Sequence, residues 1–142
     1  LARTFDPERF HTYRAWLSDD TSEPASTFDH SNDPYVLLNG VAIADSFDDL
    51  TLTGPTVGIT ITDTYKAIDD VHVWTHTTLA GTKIMDDLHC KQWTSDAFDL
   101  VAMTGRNSVP AEFQKTWSNE GWWTRYIEYG CLNSHHLYCF EN

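Results

Sequence analysis

Residues 131–142 read Cys131-Leu132-Asn133-Ser134-His135-His136-Leu137-Tyr138-Cys139-Phe140-Glu141-Asn142. Two cysteines stand here with seven residues between them, and the aromatic-rich run from His136 to Glu141 reads as a closing strand. Outward from it, Val71-His72-Val73-Trp74-Thr75 alternates with the two-residue period of a strand, and Cys90 to Thr94 reads as another. Residues 96–121 are polar and mixed, with Gly105-Arg106-Asn107-Ser108 as a turn. Leu52 to Thr64 is rich in Thr, Val and Ile but broken by Gly54, Pro55 and Gly58. Val36-Leu37-Leu38, Asn39-Gly40 and Val41-Ala42-Ile43 spell a hairpin, because Asn-Gly tolerates the positive φ that tight hairpin turns need. Ser46 caps a helical turn reaching Leu50, with Asp48 and Asp49 near its positive end. At the start, Asp6-Pro7-Glu8 reads as the opening of a helix, continued by Phe10, Tyr13, Arg14 and Leu17 at helical spacing. The sum is an α+β domain, with one or two short helices packed on a twisted, mostly antiparallel sheet with long loops.

At 142 residues the chain is one domain's length, so residues 1–142 are read as a single domain. Aromatics make up 13%, six of them Trp, a load that a disordered chain does not carry. The net charge of −12, from 21 acids against 9 bases, speaks against nucleic acid, heparin and anionic membrane surfaces as partners. No run approaches the roughly 18 apolar residues that span a bilayer, so membrane insertion is not expected. The acids come in pairs (Asp19-Asp20, Asp48-Asp49, Asp69-Asp70, Asp86-Asp87), which read as solvated loop and helix-start charges. Leu1, with no Met and no leader before it, is read as a boundary or processing point within a longer protein. Nucleophile-elbow, His-Glu-x-x-His, phosphate-loop and dinucleotide signatures are all missing, so no enzyme is expected.

Five stretches together resemble a known family. They are Tyr13-Arg14-Ala15-Trp16-Leu17-Ser18, Asp33-Pro34-Tyr35-Val36-Leu37-Leu38-Asn39-Gly40, Val73-Trp74-Thr75 with Ala80-Gly81-Thr82, Cys90-Lys91-Gln92-Trp93-Thr94-Ser95, and the closing stretch from Cys131. Their order is similar to the endostatin-like branch of the C-type-lectin-like superfamily, and more closely to bacterial surface-protein domains of unassigned function. The resemblance implies that fold, and a disulfide between Cys90 and Cys131. Cys139 matches the last-strand member of a second bridge, whose partner falls about a dozen residues before Tyr13, at or before Leu1. Cys139 is therefore expected as an unpaired, buried and inert thiol, or as one paired outside residues 1–142. Disulfides imply a place outside the reducing cytosol, secreted or on the cell surface.

Three candidate sites follow. C-type lectins hold calcium with a Glu-Pro-Asn tripeptide and a later Trp-Asn-Asp; Trp117-Ser118-Asn119-Glu120 is a degraded version of the second, making Asn119 and Glu120 weak calcium ligands. The first tripeptide has no counterpart, and the bland alternative is a core Trp followed by a solvated turn. The cluster Trp117, Trp122, Trp123, Tyr126 and Tyr129 is the stronger signal: five large aromatics in thirteen residues exceed what a small core absorbs, and an exposed part suits stacking on sugar rings or a protein. Asp70, His72, Trp74 and His76 alternate, so Asp70, His72 and His76 are candidate ligands for a transition metal, although three ligands from one strand rarely surround an ion.

The function expected is a non-catalytic extracellular recognition or adhesion module binding a glycan, or a host or matrix protein, with calcium as its one conceivable cofactor. The alternative is a structural head that oligomerises a surface fibre or multidomain protein. A metal-dependent hydrolase is the remote third.

Overall fold

The computed structural model describes residues 12–141. Its strands are β1 (Tyr13–Ala15), β2 (Tyr35–Val36), β3 (Ala42–Ala44), β4 (His72–Trp74), β5 (Val101–Arg106), β6 (Ile127–Gly130) and β7 (Cys139–Glu141). Between them lie four short helical segments, α1 (Pro24–Thr27), α2 (Phe47–Leu52), α3 (Cys90–Trp93) and α4 (Gln114–Asn119), the last entered through a 3₁₀ turn at Ala111–Phe113. The fold is a small α+β arrangement of short helices and antiparallel sheets. The strands form three small sheets, β1-β7, β2-β3 and β4-β5-β6, where the sequence suggested a single one.

Local chemistry explains several elements. The β2-β3 hairpin turns at Gly40, whose φ of +84° is open to glycine, while Asn39 Oδ1 accepts from the Val41 amide at 3.2 Å. Ser46 accepts from the Asp49 amide at 3.0 Å and donates to the Asp49 carboxylate at 2.9 Å, closing a reciprocal cap on α2. The long connection 53–71 has little regular pairing of its own. It is held instead by buried Asn107, which accepts from the Val71 amide at 2.8 Å and donates to the carbonyls of Ile59 and Ile68, both at 3.2 Å. One side chain thus supplies three hydrogen bonds to backbone groups of this connection.

Three segments differ from expectation. Gly105-Arg106, read as the opening of a turn, is instead the end of β5, the middle strand of its sheet. The part of the expected N-terminal helix before residue 12 lies outside the described residues, but Tyr13–Ala15 is a strand, paired with β7 in the register Tyr13 to Glu141 and Ala15 to Cys139. Helical spacing over so few residues yields to a partner strand at the far end of the chain. Cys90 to Thr94, read as a strand, is a turn of left-handed sense: Cys90, Lys91, Gln92 and Trp93 have φ of 51°, 51°, 57° and 61°. Left-handed backbone costs roughly 1–2 kcal/mol per L-residue, so the turn needs anchors. It has them in the Cys90–Cys131 disulfide, the His89 Nδ1 cap on the Gln92 amide at 3.0 Å, and the Trp93 indole donating to Ser18 O at 2.9 Å.

The main core gathers Trp16, Trp117, Trp123, Phe28, Phe47, Leu50, Val73, Tyr138 and Phe140. Trp16 is its hub, with ring centroids 4.9 Å from Trp123, 5.6 Å from Phe28 and 5.7 Å from Phe140. Its indole donates to Thr124 Oγ1 at 2.8 Å, which passes a proton on to Thr77 O at 3.0 Å. The backbone of Trp123 lies so close to β5 that a Cβ on Gly105 would stand 1.8 Å from its carbonyl oxygen, which makes glycine obligatory there. No helix among the described residues is long and apolar enough to cross a membrane.

Candidate ligand-binding site

The outer face of the β4-β5-β6 sheet carries a band of touching rings. Trp122 meets Tyr126 with centroids 5.6 Å apart, and Tyr126 stacks on His72 at 5.8 Å with a 27° interplanar angle. His72 meets Tyr129 at 4.5 Å and His135 at 5.8 Å, and Tyr129 meets His135 at 4.8 Å. His135 packs edge-on against Trp74 at 4.6 Å, and Trp74 meets Trp93 at 5.8 Å. Every one of these seven rings is partly exposed, and none belongs to the fully buried set.

Two sheet strands, one helical turn and two loops build the band. His72 and Trp74 leave β4 on the same side because Val73 between them points into the core at 2% exposure. Tyr129 comes from β6, across β5. His135 lies four residues past Cys131, and Trp93 three past Cys90, so the Cys90–Cys131 disulfide draws these two onto the end of the band. Arg106 covers the Tyr126 ring at 5.5 Å and is held by Asp70, its Nε 2.6 Å from Asp70 Oδ1.

The hydrogen bonds fix the protonation pattern. Thr104 gives its hydroxyl proton to Ile127 O at 2.7 Å, so at 3.4 Å from His72 Nδ1 it can only accept. His72 Nε2 lies 3.2 Å from the Tyr129 hydroxyl, and a proton on Nδ1 is the tautomer that makes both contacts hydrogen bonds. Desolvation, helped by the Arg106 charge against the opposing pull of Asp70, holds the His72 pKa below its ordinary value. His135 is lowered in the same direction by desolvation and by His72 and His136. Its Nε2 is buried and has no hydrogen-bond partner. Both rings are neutral at pH 7 and offer faces and lone pairs rather than charge.

Beyond His135 the band opens into a cavity of about 540 Å³, walled by Trp74, Trp93, His135, the disulfide, Leu17 and Leu137, with Thr94, Ser95 and Asp96 at its polar side. The volume suits a small ligand or one end of a larger one. A second, smaller hollow of about 150 Å³ beside Asp45 and Asp49 has no aromatic wall.

The candidate residues from sequence are dispersed. Trp117 and Trp123 are fully buried, and this corrects their placement on a ligand face: the chain completes its core with them, and the Trp117 indole is spent on Arg106 O at 2.6 Å. Trp122 and Tyr126 do reach the surface and form one end of the band. Asn119 and Glu120 are exposed at the end of α4, and no group of three or more His, Cys, Asp or Glu able to hold a metal ion occurs among the described residues. Asp70, His72 and His76 do not converge, because Asp70 and His76 have φ of 55° and 50°, which ends the pleat on either side of β4. Asp70 pairs with Arg106, whereas His76 turns inward at 1% exposure, 5.1 Å from the His89 ring and 3.7 Å from Asp86 Oδ1. Cys139 is exposed rather than buried, facing out from β7, and desolvation together with Asp63 pushes its thiol pKa up. The sequence reading left out Trp93, His135 and Asp96. Their signal was the disulfide pairing itself, which brings the residues following Cys90 and Cys131 together. Comparison with protein-family models and with curated proteins returns no match for this chain.

Proposed function

We propose that the domain is an extracellular, endostatin-like recognition module of the C-type-lectin-like group that binds a glycan along the aromatic band without reacting with it. The observation that carries this reading is the unbroken contact of seven partly exposed rings from Trp122 to Trp93, ending at a cavity. Sugar rings present C–H faces that stack on aromatic faces, and their hydroxyls reward polar groups placed at the edge, here Thr94, Ser95 and Asp96. A disulfide is compatible with a secreted or surface location. The charge of −12 disfavours sulfated or uronic chains and directs the proposal to neutral or basic glycans.

The test is a glycan array probed with and without calcium, using the native chain and the Trp74→Ala and Tyr126→Ala variants. Binding that survives calcium chelation and falls by about tenfold or more with Trp74→Ala is expected, because a central aromatic anchor dominates affinity. Absence of binding to every glycan in both conditions overturns the reading. Binding abolished by chelation but untouched by either variant moves the site to Asn119 and Glu120.

A further inference from the structure

The cavity at the end of the band has a composition that selects a narrower chemistry. The Trp74 and Trp93 rings both line it, their centroids 5.8 Å apart and their planes tilted at 59°. Trp93 is anchored through its N–H to Ser18 O, so what it offers a ligand is its ring rather than a donor. No Lys or Arg lines the cavity. Asp96 does line it, and among the described residues that carboxylate is engaged in no ion pair or hydrogen bond. The Thr94 hydroxyl gives its proton to Lys91 O, which leaves its oxygen facing a ligand as an acceptor only. Rings, a free exposed carboxylate and a hydroxyl oxygen, with no cation among the lining residues, make a site that favours a positive charge.

A hard metal ion does not fit, since indole faces do not ligate it and the needed set of carboxylates and imidazoles is missing from the described residues. A neutral sugar would give Asp96 hydroxyl hydrogen bonds but leave its charge uncompensated. An ammonium group answers both parts: its charge sits over Trp faces, the strongest aromatic partners for cations, while its N–H or polarised C–H groups reach the carboxylate. The neutral imidazole of His135 adds a ring without a competing charge. The acidity of the whole chain draws cations toward it.

We propose that the Trp74–Trp93–Asp96 cavity is a subsite for an ammonium group, supplied by the free amine of an amino sugar or by a quaternary ammonium substituent. This rests on the glycan reading for the band but concerns the cavity alone. The test is isothermal titration of the native chain and of Asp96→Asn with four probes: glucosamine oligomers, N-acetylglucosamine oligomers of equal length, choline, and the uncharged isostere 3,3-dimethylbutanol. Asp96 is exposed and bonded to nothing, so its replacement leaves the fold intact. The expected result is that the charged member of at least one pair binds about tenfold tighter than its neutral counterpart, and that Asp96→Asn removes this preference. Preference within the oligomer pair identifies an amino sugar; preference within the choline pair alone identifies a quaternary substituent. Equal affinity for charged and neutral members, or a preference that Asp96→Asn leaves in place, overturns the subsite. Where the subsite is overturned, oligomer binding still upholds the glycan reading; where an Asp96-dependent choline preference is found with no oligomer binding, the subsite stands and the glycan reading falls.

Discussion

Trp122 and Trp123 are neighbours in the chain and lie in different regions of the molecule. Trp123 is fully buried against Trp16, whereas Trp122 is partly exposed and begins the surface band at Tyr126. Two aromatic assemblies thus meet at one peptide bond. In the inner one the Trp16 and Trp117 indoles reach Thr124 Oγ1 and Arg106 O, whereas Trp123 Nε1 and the Tyr138 hydroxyl are buried without a partner. The outer one shares its rings with solvent and ends at a cavity with a free carboxylate. The difference teaches that aromatic content alone does not mark a binding face; whether the ring's face is covered decides it, since buried Trp123 has an unspent indole N–H and Trp93 of the band has donated its own to Ser18 O.

Removing an inner ring gives the largest expected effect. Trp117→Ala costs about 3–5 kcal/mol of stability through lost burial and a residual cavity, which a denaturant titration measures. A loss below about 1 kcal/mol would erase the distinction between the two assemblies. Next comes the disulfide, which joins residues 41 apart. Replacing both Cys90 and Cys131 by Ser costs about 4 kcal/mol in the chain-entropy picture, and it also weakens ligand binding because Trp93 and His135 lose their common anchor.

A smaller effect separates the assemblies by pH. His72 and His135 in the band and His76 near the core are all held below their ordinary pKa of 6.5, desolvation being the largest cause in each. A depressed histidine pKa means that the unfolded chain binds more protons, so stability falls as pH drops below about 6.5 and goes on falling toward the folded-state values. The slope is at most about 1.4 kcal/mol per pH unit for each histidine. Melting temperatures between pH 7 and pH 5 test this, and His76→Gln flattens the decline if that buried ring contributes. The smallest effect belongs to the rim of the band. Tyr126→Ala, at a residue 38% exposed, changes stability by about 1 kcal/mol or less while weakening ligand binding.

Local signals carried part of the fold in readable form. Asn39-Gly40 announced the hairpin, Ser46 the cap of α2, and Val71 to Thr75 the strand β4. Each depends on side chains within a few residues of one another. Tyr13–Ala15 was misread because its strand exists only through pairing with β7, and Cys90–Trp93 because a left-handed turn has no composition signature when it is held from outside. The site was legible at one end only. Trp122 and Tyr126 stand in a dense cluster, whereas Trp74, Trp93, Asp96 and His135 come from segments that the sheet and the disulfide bring together. Neither adjacency nor periodicity records that.

The pairing of β1 with β7 has a mechanical meaning. Tyr13 stands opposite Glu141 and Ala15 opposite Cys139, so both strands leave the pair from the same end. A load applied across the two ends of the described chain peels this ladder one hydrogen bond at a time instead of shearing it as a unit, and the pair yields at low force. Stretching beyond that point is limited by the covalent link at Cys90 and Cys131, which keeps the 41-residue segment out of the extending contour, a shortfall of about 140 Å that a reducing agent restores. The ends give way first, while the disulfide that holds Trp93 and His135 together survives tension of that size.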